Sequence, residues 1–280
     1  MNLLSEVREM TDAEHRLLNE FVSNLYGIEF SNERRRLLES RLKPRLQALD
    51  MDRYMDYYLL LQYGLEDELP TFTRLITNNE SYFFRETRQF DALFDEAWTE
   101  LAQVANNGSP VRILCAGCSS GEEPYTLNIF HESHRLASHL PIQIDAVDID
   151  AERIAAAKKA EYTQSSLRAT SEQQIRRFFS RTGSNLYRLN APLLENTRFE
   201  LGNILDLATF PAPGRYDALF CRNVLIYFSE HALHRAIDNF AGALRPGGLL
   251  FLGHAESIIG LSNAFETVRF ERCIAYRRKP

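Results

Sequence analysis

One stretch near the middle of the chain constrains the fold more than any other part of the sequence. Residues 111–125 read VRILCAGCSSGEEPY, so a run of strand-forming and apolar residues leads straight into Ala, Gly, Cys and Ser. This order is typical of a buried strand, a turn rich in small residues, and the start of a helix. Gly117 and Gly121 lie in that turn, where glycine lets the backbone approach a ligand closely. The stretch therefore predicts a cradle for a nucleotide.

Beyond Val111 the chain alternates between strand and helix patterns, which favours a parallel sheet with crossover helices. The predicted strands are 111–116, 142–147, 197–201, 216–221 and 248–253, with a late hairpin of 265–270 and 273–277 at the sheet edge. The predicted helices between them are 123–136, 151–160 and 229–244. We predict a doubly wound α/β domain over residues 104–280.

One interval of this domain is longer than a single crossover requires. Residues 161–196 separate the second and third predicted strands, and they contain a helix pattern at 171–179 followed by a turn and a short strand at 182–189. We predict an inserted subdomain here, a place where surface insertions commonly carry partner recognition.

The part of the chain before residue 104 carries helical signals only. Thr11 to Glu14 resembles a capping box, and a second helix pattern contains Arg34, Arg41 and Arg45 at spacings of seven and four. A third helix is predicted over 54–63. We predict a helical N-terminal domain and linker over 1–103, with the boundary in the polar, turn-rich run 104–110.

Composition excludes several classes of function. The net charge is −6, which argues against general nucleic-acid binding. No apolar run is long enough for a membrane span and the start lacks a signal peptide, so we expect no membrane insertion and a cytoplasmic protein. Cys115 and Cys118 are followed by no second pair with zinc-ligand spacing, which favours small residues packing a turn over a metal or redox site.

The turn after the first predicted strand indicates which kind of nucleotide the chain binds. This turn matches neither the P-loop nor the dinucleotide fingerprint. Glu122 and Glu123 at the helix start would also repel a pyrophosphate. At the end of the second strand, Asp148 could accept hydrogen bonds from a ribose or cap the next helix, and the residues alone leave both open. Together with the acidic turn it favours a cationic adenosyl ligand, S-adenosylmethionine.

Several motifs now occur together in an order that resembles a known family. They are NESYFFRE at 79–86, SSGEEPY at 119–125, DID at 148–150, FCRNVLIYF at 220–228 and GHAES at 253–257. In this combination the chain resembles the chemotaxis receptor glutamate O-methyltransferases, the CheR family. The resemblance implies a Rossmann-like S-adenosylmethionine-dependent methyltransferase domain with a small helical N-terminal domain and a small inserted β-subdomain. It implies S-adenosylhomocysteine as product, no metal, and chemoreceptor cytoplasmic domains as partners.

The resemblance also implies which residues bind the cofactor, with Ser81 standing where the family usually has Thr. These are Asn79, Ser81, Arg85, Glu123, Asp148, Asn203, Ile204, Asn223 and Val224. The choice between Glu122 and Glu123 is open, and we favour Glu123. In some family members the inserted subdomain binds a receptor C-terminal pentapeptide; this sequence departs from the family at 182–190, which leaves that function open.

Methyl transfer to a carboxylate needs no general base, because a glutamate is ionised above about pH 5. We therefore expect alignment to dominate, with Arg85 orienting a carboxylate and Tyr227 lining the acceptor pocket. Arg34, Arg41 and Arg45 are consistent with a solvated basic face, and with this acceptor they could instead form a docking face that steers glutamate-bearing receptor helices.

Two other functions remain as alternatives. A nucleic-acid methyltransferase is disfavoured because the turn after the fourth strand lacks an Asp/Asn-Pro-Pro-aromatic motif. A non-catalytic S-adenosylmethionine-binding adaptor, or a methyltransferase for another acceptor, is separated from the main hypothesis by an activity assay. We expect a monomer.

Overall fold

The computed structural model describes residues 7–64, 67–104, 109–134 and 140–280. These residues form two compact units. One contains the chain up to Asn78 together with Tyr227–Leu233, and the other contains 79–226 and 234–280. Within the described ranges, no helix has the length and apolar character that a membrane crossing requires.

The first unit is helical. Its helices are α1 (Asp12–Tyr26), α2 (Arg35–Ala48), α3 (Tyr54–Tyr63) and α4 (Glu68–Ile76). The predicted capping box is present, since Glu14 N donates to Thr11 Oγ1 at 3.3 Å and Thr11 N donates to Glu14 Oε2 at 2.7 Å. Gly27 ends α1 with a φ of 74°, which a residue with a side chain rarely adopts. Fully buried apolar side chains from these helices form the core of the unit: Leu18, Val22, Leu38, Leu42, Leu46 and Phe72.

The second unit is built on a mixed sheet. Its strands in chain order are β1 (Val111–Ala116), β2 (Ile142–Asp148), β3 (Glu161–Thr163), β4 (Phe179–Arg181), β5 (Leu186–Leu189), β6 (Thr197–Leu201), β7 (Tyr216–Cys221), β8 (Leu244–Leu252), β9 (Phe265–Arg269) and β10 (Ile274–Arg278). The main sheet has the order β6-β2-β1-β7-β8-β10-β9. Its first five strands are parallel, and β9 and β10 form an antiparallel hairpin at one edge. The predicted doubly wound α/β sheet is confirmed.

The remaining helices accompany this sheet. They are α5 (Arg88–Asp91), which continues as a π-helical segment Ala92–Ala97 into α6 (Trp98–Val104), then α7 (Glu122–Ser133), α8 (Ala151–Lys159), α9 (Glu172–Phe178) and α10 (Glu230–Ala243). The predicted C-terminal end of α7, beyond residue 134, lies outside the described residues. β8 begins four residues before its predicted start, because Leu244 already pairs with Tyr216 across a register shift.

The two compact units divide between Asn78 and Asn79, whereas the sequence placed a boundary at 104–110. Residues 105–108 of that run lie outside the described residues. α5 and the π-helical segment that follows it share a core with the sheet, since Phe90 and Leu93 are buried in one apolar cluster with Ile113 and Phe220. Helical periodicity alone does not reveal which core a helix joins.

The long interval between β2 and β6 forms a separate three-stranded antiparallel sheet in the order β3-β5-β4, with α9 beside it. Phe83 is fully buried, and its ring meets those of Tyr162 and Phe179 edge-on at centroid distances of 4.7 Å and 4.9 Å. The aromatic triplet at 82–84 thus supplies the residue that packs against this inserted sheet.

Candidate cofactor and active site

The turn after β1 approaches the turn after β7 closely. Gly117, Ser119 and Gly121 all have positive φ, at 80°, 48° and 89°. A Cβ on Gly117 would lie 2.6 Å from Val224 Cγ2, so a side chain at this position would force the two turns apart. Because β1 and β7 are parallel neighbours, both turns lie at the carboxyl edge of the sheet, where ligands of open α/β folds bind.

Asp148 at the end of β2 holds the first turn in place. Its Oδ2 accepts a hydrogen bond from Ser119 N at 2.8 Å, and its Oδ1 accepts one from Asp150 N at 2.9 Å. The helix cap is Asp150, whose Oδ1 accepts from Glu152 N at 2.9 Å, so the capping alternative for Asp148 is wrong. Burial raises the pKa of Asp148 to about 6. Each carboxylate oxygen has a second lone pair, which leaves Asp148 able to accept further hydrogen bonds.

The two glutamates that begin α7 have different partners. Glu122 is 1% exposed, and its carboxylate accepts hydrogen bonds from the hydroxyls of Ser120 and Ser166. Glu123 accepts one from Arg222 Nη1 at 3.0 Å. Burial raises the pKa of Glu123, while the charge of Arg222 acts in the opposite direction. The Glu122 carboxylate is therefore bound by hydroxyls of the first turn and of the inserted subdomain. Glu123 instead pairs with Arg222 at the carboxyl edge of the sheet.

The segment that begins the second unit runs across these turns. Asn79 Nδ2 donates to Asp150 Oδ2 at 3.0 Å, and Asn79 O accepts from Ser119 Oγ at 3.4 Å. Ser81 follows in a half-buried position. Arg85 Nη1 donates to Glu80 O at 2.8 Å, which fixes the direction of its side chain. The structure thus brings Asn79 beside the first two strand ends.

Arg85 shares an aromatic ring with a cation from the inserted subdomain. Its guanidinium lies 5.6 Å from the centroid of Tyr82, and that of Arg168 lies 3.7 Å from the same centroid. Arg168 Nη2 also donates to Glu80 Oε1 at 2.8 Å.

The residues predicted on the third and fourth strand ends lie in ordered turns. Asn203 Oδ1 accepts from Leu205 N at 3.0 Å, and the preceding Gly202 N donates to Asp148 O at 3.0 Å, which places this turn beside β2. Ile204 is buried. Asn223 has a φ of 60°, in the left-handed region that asparagine adopts more readily than most residues with a side chain.

Sequence reasoning missed Glu256, whose carboxylate accepts four backbone N–H groups. The donors are Asn223 N, Val224 N, Leu225 N and Gly253 N, at 2.7 to 2.9 Å. Gly253 is required here, because a Cβ would lie 2.7 Å from Glu256 Oε2. The available signal was a glutamate four residues after the end of a buried strand and three residues beyond a glycine.

Arg222 was also missed as a site residue, although it lies inside the motif at 220–228. Its side chain is 3% exposed and directly follows a strand whose six residues are all buried. A charged residue that continues such a strand is rarely buried without a specific partner. That placement was the signal available in the sequence.

The cysteines belong to the core of this unit. Cys115, Cys118 and Cys221 are buried free thiols, and burial raises the pKa of each. Across the described ranges, no three Cys, His, Asp or Glu side chains form a group suited to a metal ion. The burial of both thiols supports the packing interpretation of the Cys115–Cys118 pair.

Tyr227 and the predicted docking arginines belong to the helical unit. Asn78 Nδ2 donates to Tyr227 Oη at 2.5 Å, and the guanidinium of the exposed Arg34 lies 5.6 Å from the Tyr227 ring centroid. Arg41 is half-buried and donates to Ile76 O at 2.5 Å.

Arg45 differs from the other two arginines, because it forms a bidentate ion pair with the buried Glu68 at 2.9 Å and 2.6 Å. Tyr57 Oη donates to the same carboxylate at 2.7 Å. The spacing of seven and four therefore does not produce one solvated basic face, since the half-buried Arg45 is paired with the buried Glu68.

Comparison with known proteins agrees with this architecture. The family described as CheR methyltransferase, SAM binding domain, matches residues 79–274, and the CheR methyltransferase all-alpha domain matches residues 13–77. Chemotaxis protein methyltransferase 2 of Vibrio cholerae serotype O1 is 30% identical over 95% of this chain and 93% of its own length. The chemotaxis protein methyltransferase of Vibrio parahaemolyticus is 32% identical over 96% of this chain and 98% of its own, and chemotaxis protein methyltransferase 1 of Pseudomonas aeruginosa is 30% identical over the same shares. The chain belongs to the CheR methyltransferase family.

Proposed function

We propose that this chain methylates glutamate side chains of chemoreceptor cytoplasmic helices, forming glutamyl methyl esters with S-adenosylmethionine as donor. The observation that carries the proposal is the acidic carboxyl edge of the sheet, where Asp148 and Glu123 flank a glycine turn packed against Val224. The relatives named above are chemotaxis protein methyltransferases, which supports the same pathway.

The residues at this edge fit S-adenosylmethionine better than a phosphorylated nucleotide. The carboxylates of Asp148, at the end of β2, and of Glu123, at the start of α7, repel phosphate but stabilise an ammonium and a sulfonium. We assign Asp148 to the ribose hydroxyls and Glu123, with Asn79 and Ser81, to the charged part of the ligand. Asn203–Ile204 and Asn223–Val224 would flank the adenine and the methionine part.

Bound S-adenosylmethionine supplies an electrophilic methyl group on a positively charged sulfur. The task of the chain is then to align an ionised glutamate with it and to exclude water. Arg85 suits the first role, because a guanidinium fork holds a carboxylate through two parallel hydrogen bonds. Tyr227 would line the acceptor pocket, with its hydroxyl oriented by the hydrogen bond from Asn78. No base is required, since the attacking oxygen carries no proton above about pH 5.

Receptor docking would rest on Arg34 and Arg41, now without Arg45. A cationic surface accelerates association with a glutamate-rich helix, and the acceleration weakens as salt screens the charges. Arg34→Glu should slow association with a receptor fragment at low salt more than Arg16→Glu, a matched charge change at an exposed position on α1. Equal rates for the two variants at low and high salt would contradict a docking role for Arg34.

The activity is tested with methyl-labelled S-adenosylmethionine and a purified receptor cytoplasmic fragment. We expect label on the fragment that alkali releases as methanol, as a methyl ester requires. Arg85→Ala should reduce transfer at least 100-fold, whereas Arg88→Ala, a matched change at an exposed position three residues further on, should leave it unchanged.

Three other outcomes would overturn parts of this proposal. Binding of the cofactor without any transfer would favour the adaptor function. Alkali-stable label would indicate another acceptor group. Full activity of the Arg85→Ala variant would remove that residue from the mechanism.

A further inference from the structure

Arg222 is an unusual residue for its position, since it continues the buried strand β7 with a charged group. Its Nη1 donates to Glu123 Oε2 at 3.0 Å, and its guanidinium lies 4.9 Å from the ring centroid of Phe90. Its buried Nε has no hydrogen-bond acceptor among the described residues. Burying a cation and leaving one of its donors unpaired both oppose folding, so packing alone does not account for an arginine here.

The other end of the guanidinium holds the turn that carries Arg85. Arg222 Nη2 donates to the backbone oxygens of Arg85 and Glu86 at 2.6 Å and 3.1 Å. Phe84 and Glu86, which flank Arg85, both have positive φ, at 61° and 49°. Non-glycine residues keep such a conformation only where surrounding contacts enforce it. Arg222 supplies two of those contacts.

One side chain therefore touches both halves of the proposed site. The Nη1 side faces Glu123, which we assign to the cofactor, and the Nη2 side faces the backbone of Arg85, which we assign to the acceptor carboxylate. We propose that Arg222 is a positioning residue that holds the backbone of Arg85 in place and at the same time offsets the negative charge of Glu123. This inference rests on the proposed function, because it gives roles to two residues of that site.

The contact with Glu123 requires a positive charge, whereas the contact with the backbone of Arg85 and Glu86 requires a second donor group. Two substitutions at Arg222 therefore separate them. A lysine at this position keeps a positive charge near Glu123, but a single ammonium cannot reach both the carboxylate and the two carbonyl oxygens. A methionine loses both contacts. We expect Arg222→Lys to bind S-adenosylhomocysteine within about threefold of the wild type while its kcat falls at least 10-fold. We expect Arg222→Met to lose at least 10-fold in both quantities.

A double-mutant cycle tests the link to Glu123 directly. In a Glu123→Gln background the carboxylate charge is gone, so replacing Arg222 by Met should change the affinity for S-adenosylhomocysteine by less than about threefold. The matched control is Arg245→Met, which removes another largely buried arginine–carboxylate pair, with Asp217, from the start of β8. That variant should lower thermal stability and leave kcat and affinity unchanged.

The experiment measures affinity by calorimetry, kcat with the receptor fragment, and the folded fraction of every variant. A purely structural role for Arg222 would lower the melting temperature of both variants and leave kcat and affinity per folded molecule at wild-type values, which overturns the inference. Equal losses in the Lys and Met variants would overturn the separation of the two contacts. If the wild type binds S-adenosylhomocysteine but methylates no receptor fragment, the proposed function fails, while the affinity cycle still decides the link between Arg222 and Glu123.

Discussion

The carboxylate of Glu256 holds the loop after β7 through hydrogen bonds to its backbone N–H groups. We expect its replacement by an amide to weaken both the loop and ligand binding. Its Oε2 accepts from Asn223 N and Gly253 N, and its Oε1 accepts from Val224 N and Leu225 N. In Glu256→Gln one of the two oxygens becomes an amide nitrogen, which donates and cannot accept. Two of the four backbone N–H groups then lose their acceptor.

The size of the effect follows from those two donors. A buried N–H group without an acceptor costs about 1–3 kcal/mol. Because these groups are only partly buried and water can reach some of them, we expect a loss near the lower end, roughly 2–3 kcal/mol for the pair. Since about 1.4 kcal/mol corresponds to a tenfold change in a binding constant, a ligand that needs this loop ordered should bind roughly 30- to 150-fold more weakly.

Calorimetric titration with S-adenosylhomocysteine and urea unfolding measure the two consequences separately. The matched control is Glu266→Gln, the same change at an exposed position on β9. The control should reproduce the wild type in both assays. If Glu256→Gln binds S-adenosylhomocysteine as tightly as the control and unfolds at the same urea concentration, the carboxylate does not organise the loop.

Other parts of the fold give further predictions. Burial raises the pKa of Asp148 from 3.8 to about 6, so the folded state binds this proton more tightly than the unfolded state. The free energy of unfolding should therefore fall as the pH rises from 3.8 through about 6. Asp148→Asn should abolish that fall, and an unchanged pH dependence of unfolding would refute the prediction. Phe83→Ala should cost about 3–5 kcal/mol in urea unfolding, whereas a loss below about 1 kcal/mol would mean that the ring is not a core contact. Arg45→Met should cost about 2–4 kcal/mol because it leaves Glu68 buried without its cation, while the exposed Arg34→Met should cost less than about 0.5 kcal/mol; similar losses for both would contradict this distinction.

Local sequence patterns predicted most strands of the main sheet. β1, β6 and β7 begin and end where the sequence predicted, since each is an apolar run between turn residues. The inserted sheet could be located as an interval but not drawn, because β3 and β4 are three residues long and offer no readable period.

The partners of charged residues could not be read from local patterns. Glu68 lies 23 residues from Arg45, and Arg222 lies 99 residues from Glu123, so neither pairing has a sequence period. These pairings depend on how strands and helices assemble in space. The assignment of site residues to the cofactor and the acceptor carboxylate stays a prediction.

The most direct test of the proposed function is to locate the transferred methyl group. A receptor cytoplasmic fragment is incubated with the chain and methyl-labelled S-adenosylmethionine, and the modified residues are identified by peptide mass spectrometry. We expect alkali-labile methyl esters on glutamate side chains of receptor helices, and loss of label when those glutamates are replaced by alanine. Label on any other residue type, or no label from a chain that binds S-adenosylhomocysteine, would contradict it.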